Sequence, residues 1–251
     1  MSSFALRAAT ASVAAVAIAG IAIAGTTGAT AATAADPPTT AAAVAAEIAA
    51  DPAATVAAQQ IPGGSTPILN TAQQYANNLR GLSRAQAEQA FLAGMIRHHA
   101  AAISMAQLEL ARGANPEVKA LAQQIISGQS QEITEMTNWL RDWYGLTPAQ
   151  AKAREPADMQ KLATRMAAGM TNMTTQLAAV PAGPASDKAF LSEMIPHHEM
   201  AIVIPPPMTT QAEHPALRAL AGQIITAQLA QVRQMSTWLR DSYGVTTAVR
   251  T

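Results

Sequence analysis

From Ser83 onward the apolar residues recur at spacings of three and four. Phe91, Leu92, Met95, Ile96, Ala102, Ile103, Ala106 and Leu110 form one such run. Val118, Leu121, Ala122, Ile125, Gln129, Ile133, Met136 and Leu140 form a second, with one polar interruption. Residues three and four apart share a helix face, so each run predicts an amphipathic helix. Ser83 with Gln86 three residues on predicts a capping box at the first start. Gly113 predicts the stop, Asn115 the next N-cap and Pro116 the first position of the second helix. At 1.5 Å per residue, a helix of roughly 28 residues is about 40 Å long.

The same arrangement recurs 99 residues later. Phe91–Gly145 aligns without gaps with Phe190–Gly244, and 23 of the 55 positions are identical. Phe91-Leu92, Met95-Ile96 and His98-His99 match Phe190-Leu191, Met194-Ile195 and His197-His198. Trp139-Leu140-Arg141-Asp142 matches Trp238-Leu239-Arg240-Asp241. The duplication predicts two helical hairpins packed as equivalent halves of a four-helix bundle. The second copy departs at Pro205-Pro206-Pro207. These residues lack donors and end a helix, so its first helix is expected to stop near Ile204, with a loop over Pro205–Glu213. Between the copies, residues 146–186 form a connector. Thr147-Pro148-Ala149-Gln150 signals a helix start, and Met159, Leu162, Met166, Gly169, Met170, Met173 and Leu177 predict a connecting helix lying along the bundle. Loop composition returns at Val180–Ser186.

The first 35 residues have a different composition. Arg7 is the only charge before Asp36, an Ala/Val/Ile run follows to about Gly25, and small residues lead to Ala35. This is the pattern of a secretory signal over residues 1–35, with an uncleaved membrane anchor as the competing reading. Residues 36–70 are rich in Ala, Thr and Pro and read as a disordered tether, since little in them offsets the entropy of ordering. The bundle is thus assigned to residues 71–247, with repeat 1 at 91–145 and repeat 2 at 190–244. The expected location is extracytoplasmic, with no membrane contact once the signal is removed.

Composition narrows the chemistry. The chain has 251 residues, 16 basic and 16 acidic, so no basic excess exists to attract nucleic acid. It contains 0 Cys, which excludes disulfides and thiolate ligands, but 12 Met and 5 His. Four histidines form the two doublets; His214 aligns with Asn115 and reads as a helix-start residue. Met95 lies one turn before His98-His99, and Met105 lies two turns beyond His98 on the same stripe. The second copy repeats Met194, His197 and His198, while Ile204 replaces Met105; Met200 and Met208 could compensate only if the proline segment folds back. On the facing helices Glu132, Glu135 and Met136 align with Gln231, Gln234 and Met235, so only the methionine is common. Thioethers select Cu(I), and imidazole accepts copper, zinc, iron and nickel. A set of Met95, His98, His99, Met105, Met136, Met194, His197, His198 and Met235 therefore points to copper, Cu(I) above all. No Glu stands three residues before any of these histidines, as a carboxylate-bridged di-iron centre would need. Met159, Met166, Met170 and Met173 read as core, with secondary copper donors as their other use.

The doubled Phe-Leu-x-x-Met-Ile-x-His-His-x-x-Ala-Ile, with Ala-x-Gln-Ile-Ile and Met-x-x-Trp-Leu downstream, resembles the domain of unknown function 305 family over about residues 71–245. The resemblance implies a ferritin-like helical fold and an exported bacterial protein, some members being associated with copper binding and resistance. Position by position it implicates Met95, His98, His99 and Met105, then Met194, His197 and His198. The expectation is a non-catalytic protein that sequesters or hands over copper. A metal-free interaction or stress-related bundle, and a ferritin-like redox enzyme, are the competing readings.

Overall fold

The structure, a computed structural model, describes residues 66–245. The expected signal over 1–35 and most of the tether lie outside these residues. Within them the chain is helical, with no strand: α1 (Thr66–Arg80), α2 (Arg84–Arg112), α3 (Pro116–Tyr144), α4 (Pro148–Ala153), α5 (Ala157–Ala179), α6 (Pro184–Val203), α7 (Pro206–Gln211) and α8 (Pro215–Tyr243). No described helix is long and apolar enough to cross a membrane.

The duplicated halves are the hairpins α2–α3 and α6–α8, each packed most extensively on itself, and they meet through α2 and α6. Their boundaries follow from local chemistry. Ser83 and Gln86 form the capping box of α2, and the Asn115 side chain accepts from the amides of Glu117 and Val118 at the start of α3. Gly145 and Gly244, both at φ 64°, close α3 and α8 in the left-handed conformation that side chains disfavour. Thr147 and Gln150 form a second capping box, on α4.

Three expectations change. The proline segment is not a loop: Pro206–Gln211 is the short helix α7, preceded by Ile204 and Pro205 in helical conformation. Prolines in the first turn surrender amides that have no intrahelical partner there. The segment folds back, with Met208 fully buried and α7 packed on α8, α1 and α2. The connector is two helices rather than one, since Glu155-Pro156 separates α4 from α5. Finally, residues 66–70, expected in the tether, are helical. α1 buries Leu69, Ala72, Tyr75, Ala76 and Leu79, and packs with α5 and α6. The Tyr75 hydroxyl donates to the Ala90 carbonyl at 2.9 Å, and Gln211 donates to the Leu79 carbonyl at 2.9 Å, binding α1 to α2 and α7.

The turn at Gly113 depends on absent volume rather than unusual backbone. A Cβ there would lie 1.9 Å from Glu109 Oε1 and 2.7 Å from Asp187 Oδ1, both on buried carboxylates. Gly113→Ala is expected to cost about 1–3 kcal/mol by overpacking, read as a lower urea midpoint with unchanged slope.

Candidate metal centre

All four doublet histidines are buried at the seam between α2 and α6. The copies come together through their first histidines: the His98 and His197 ring centroids are 3.9 Å apart, with the planes tilted by 41°. Within the doublets the rings stand further apart, 5.8 Å for His98–His99 and 6.2 Å for His197–His198, as expected for neighbours turned about 100° around a helix.

Three imidazoles have an oxygen beside Nε2. His98 Nε2 is 2.9 Å from the His197 carbonyl, and His198 Nε2 is 2.7 Å from the Gln231 amide oxygen. His99 Nε2 lies 2.6 Å from a Glu132 carboxylate oxygen, placed beside it but off the line of a hydrogen bond. A carbonyl only accepts, so in His98 and His198 the Nε2–H donates and Nδ1 keeps its lone pair. Nδ1 is without a hydrogen-bond partner in His98, His99, His197 and His198, and His99 and His197 lack one at Nε2 as well. Burial, then the neighbouring imidazoles, pushes His98 down to about 3 and His197 well below the ordinary histidine value. Burial pushes His198 to about 3 despite its bond to Gln231. These three rings are therefore neutral at physiological pH.

The positions 132 and 231 escaped the sequence reading as a matched pair because their residues differ. In space each presents an oxygen to the second histidine of its own copy. The signal was the aligned position together with the shared ability to accept.

Met95, Met105, Met136, Met194 and Met235 are fully or almost fully buried in the common core, as are Met200 and Met208. Met95 shares the wall of a small cavity with His98. Among the described residues, no three His, Asp or Glu side chains are placed to hold one metal ion between them. His214 is the N-cap residue of α8, as its alignment with Asn115 suggested. Its ring stacks on Trp143 at 3.7 Å and its Nδ1 is 2.6 Å from Glu88. Trp139 and Trp238 pack against the core, and the Arg141–Asp142 and Arg240–Asp241 pairs are exposed.

The sequence matches the model of the family described as domain of unknown function (DUF305) over residues 31–137 and again over 88–239. The chain belongs to this family. The two overlapping DUF305 matches together include both histidine doublets. No curated protein matches the chain. Among solved structures, CopM in the Cu(II)-bound form is 30% identical, matched over 61% of this chain and 96% of CopM with a TM-score of 0.50. The Cu(I)-bound form of CopM gives 32%, 62%, 98% and 0.50. A DUF305 fragment from Deinococcus radiodurans is 30% identical over 61% of this chain and 94% of the fragment, with a TM-score of 0.51. A DUF305 protein from Streptomyces coelicolor shares the fold at 20% identity, over 65% and 97% of the two chains, with a TM-score of 0.52.

Proposed function

We propose that this protein binds copper, Cu(I) foremost, between its two hairpins, and sequesters it or hands it on outside the cytoplasm. One observation carries the reading: four buried imidazoles in which every Nδ1 lacks a partner. Buried polar atoms are rarely left without a partner, and neutral imidazole is a ligand with no proton to displace. The oxygens bonded to Nε2 of His98 and His198 suit this role, because a second hydrogen bond fixes the tautomer and orients a ligating ring. The remaining donors would be thioethers, since carboxylates and imidazoles do not converge in threes among the described residues. Met95 and Met105 on α2, Met194 on α6, and Met136 and Met235 on the facing helices are the candidates. CopM, about 30% identical, has been seen with both Cu(I) and Cu(II). The repeat helices would form a ferritin-like scaffold, and the signal-like residues 1–35 favour export. The reading is of binding rather than catalysis, as it needs no acid–base pair.

The test is a titration of the metal-free protein with Cu(I) and Cu(II) against competing chelators. Changing His98, His99, His197 and His198 together to Ala is expected to reduce Cu(I) affinity by 100-fold or more. Wild-type binding no tighter than that of a scrambled Met/His peptide would overturn the proposal. A metal-free interaction bundle predicts that outcome, whereas bound iron with oxygen- or peroxide-dependent turnover would favour a redox enzyme.

A further inference from the structure

A small cavity lies beside His98, between α2 and the connector helix α5. It is about 20 Å³, enough for one water-sized body, and its wall includes Met95, Arg97, His98, Met166, Met170 and Ile204. Met166 and Met170 stand one turn apart on α5 and Met95 stands one turn before His98 on α2, so two helices present three thioethers and an imidazole to one space. Met95 and His98 are nearly inaccessible, while Met166 and Met170 are each 7% exposed. The only His98 nitrogen without a partner is Nδ1.

We infer that this cavity is a second site for a soft monovalent cation, held by Met166 and Met170 and sharing Met95 with the central imidazole site. The inference deepens the copper-binding reading and rests on it. The donor set is neutral and soft, which suits a d10 monovalent ion and gives little compensation to a harder divalent one. Arg97 on the wall would repel a cation, but its guanidinium is paired with buried Glu155 at 3.2 Å. Among the described residues the site occurs once, because α5 belongs to the connector and has no copy in the duplication.

The probes are Ag(I) and Cu(I), added separately to the metal-free full chain carrying methionine labelled with 13C at the methyl group. The Met95, Met166 and Met170 methyl resonances are expected to shift together with Ag(I), and Met159 and Met173 to stay in place. M166L/M170L, which keeps volume and removes both sulfurs, is expected to take up one fewer equivalent of either ion or to hold it at least 10-fold more weakly. M159L/M173L, on the same helix, should bind like wild type. Central methionine shifts with Met166 and Met170 unmoved, or unchanged stoichiometry and affinity in M166L/M170L, would overturn this site and leave the central one standing. No uptake by wild type would remove both. The labelled wild-type spectra decide the matter even where a variant fails to fold.

Discussion

The metal-free protein is expected to be most stable near pH 6.5 and to unfold sharply as the pH falls below about 4.5. Burial holds His98 and His198 at about 3 and His197 well below the ordinary value of 6.5. Below 6.5 the unfolded chain binds protons that the native rings refuse, so stability falls with pH. The slope is about 1.4 kcal/mol per pH unit for each ring. Glu109 and Glu199 act in the opposite sense. Burial pushes both up to about 8, with the neighbouring Asp187 adding to the effect on Glu109. From 8 down to the ordinary 4.5, their native carboxyls hold protons that the unfolded chain has released, and acidification stabilises the fold.

Above 6.5, then, acidification strengthens the protein. Between 6.5 and 4.5 three imidazoles outweigh two carboxyls by about one proton, and Glu155 and Glu193, also raised by burial, flatten that decline. Below 4.5 the imidazoles act unopposed, at roughly 4 kcal/mol per pH unit for the three together. Glu88 adds to the loss: burial works against its ionisation, but hydrogen bonds from Tyr144 and His214 outweigh that and hold it below the ordinary value. A domain stable by about 5–15 kcal/mol does not survive such a slope for long. Urea midpoints from pH 8 to pH 3 check the profile. Midpoints that stay level from pH 4.5 to pH 3 would mean that the rings are solvated.

The second large effect is expected from two carboxylates that fasten the copies to each other. Glu88, in the first copy, accepts from the backbone amides of Glu213 and His214 at the start of α8, and from the Tyr144 hydroxyl. Asp187 occupies the aligned position in the second copy. It accepts from the amides of Ala114 and Asn115 at the start of α3, at 2.9 and 3.1 Å, with the Tyr243 phenol beside it. Each half thus caps the second helix of the other. Both residues are essentially fully buried, and hydrogen bonds to a charged group contribute about 1.5–3 kcal/mol each. Glu88→Ala orphans two amides and a phenol, and is expected to lower stability by about 3–5 kcal/mol. Asp187→Ala should cost a similar amount, while Glu88→Gln, which keeps one acceptor, should cost less. Guanidinium denaturation measures all three. A loss below 1 kcal/mol in both alanine variants would contradict the crossed-cap account.

Much of this architecture was legible because caps and periodicity are local. Ser83–Gln86, Asn115-Pro116 and Thr147–Gln150 act within one turn, and the structure keeps all three. What escaped depends on partners distant in sequence. The helix α1 is rich in Gln and Asn, and Tyr75 and Leu79 gain their burial only against the rest of the bundle. Glu88 and Asp187 lie three residues before the aligned blocks, where a lone acidic side chain looks like a solvated face. The rule for helix interiors does not hold for the proline run, because it occupies a first turn. In the candidate site the buried doublets were legible from the duplication. The orientation of their rings was not, because it depends on Gln231, Glu132 and the His197 carbonyl.

The most direct measurement of the central claim is X-ray absorption at the copper edge of the Cu(I)-loaded protein after exhaustive washing. The account predicts retained Cu(I) with both imidazole nitrogen and thioether sulfur in its first shell, and loss of the imidazole contribution when the four doublet histidines are changed. Copper removed by washing, or a first shell without imidazole nitrogen in the wild-type protein, would contradict it.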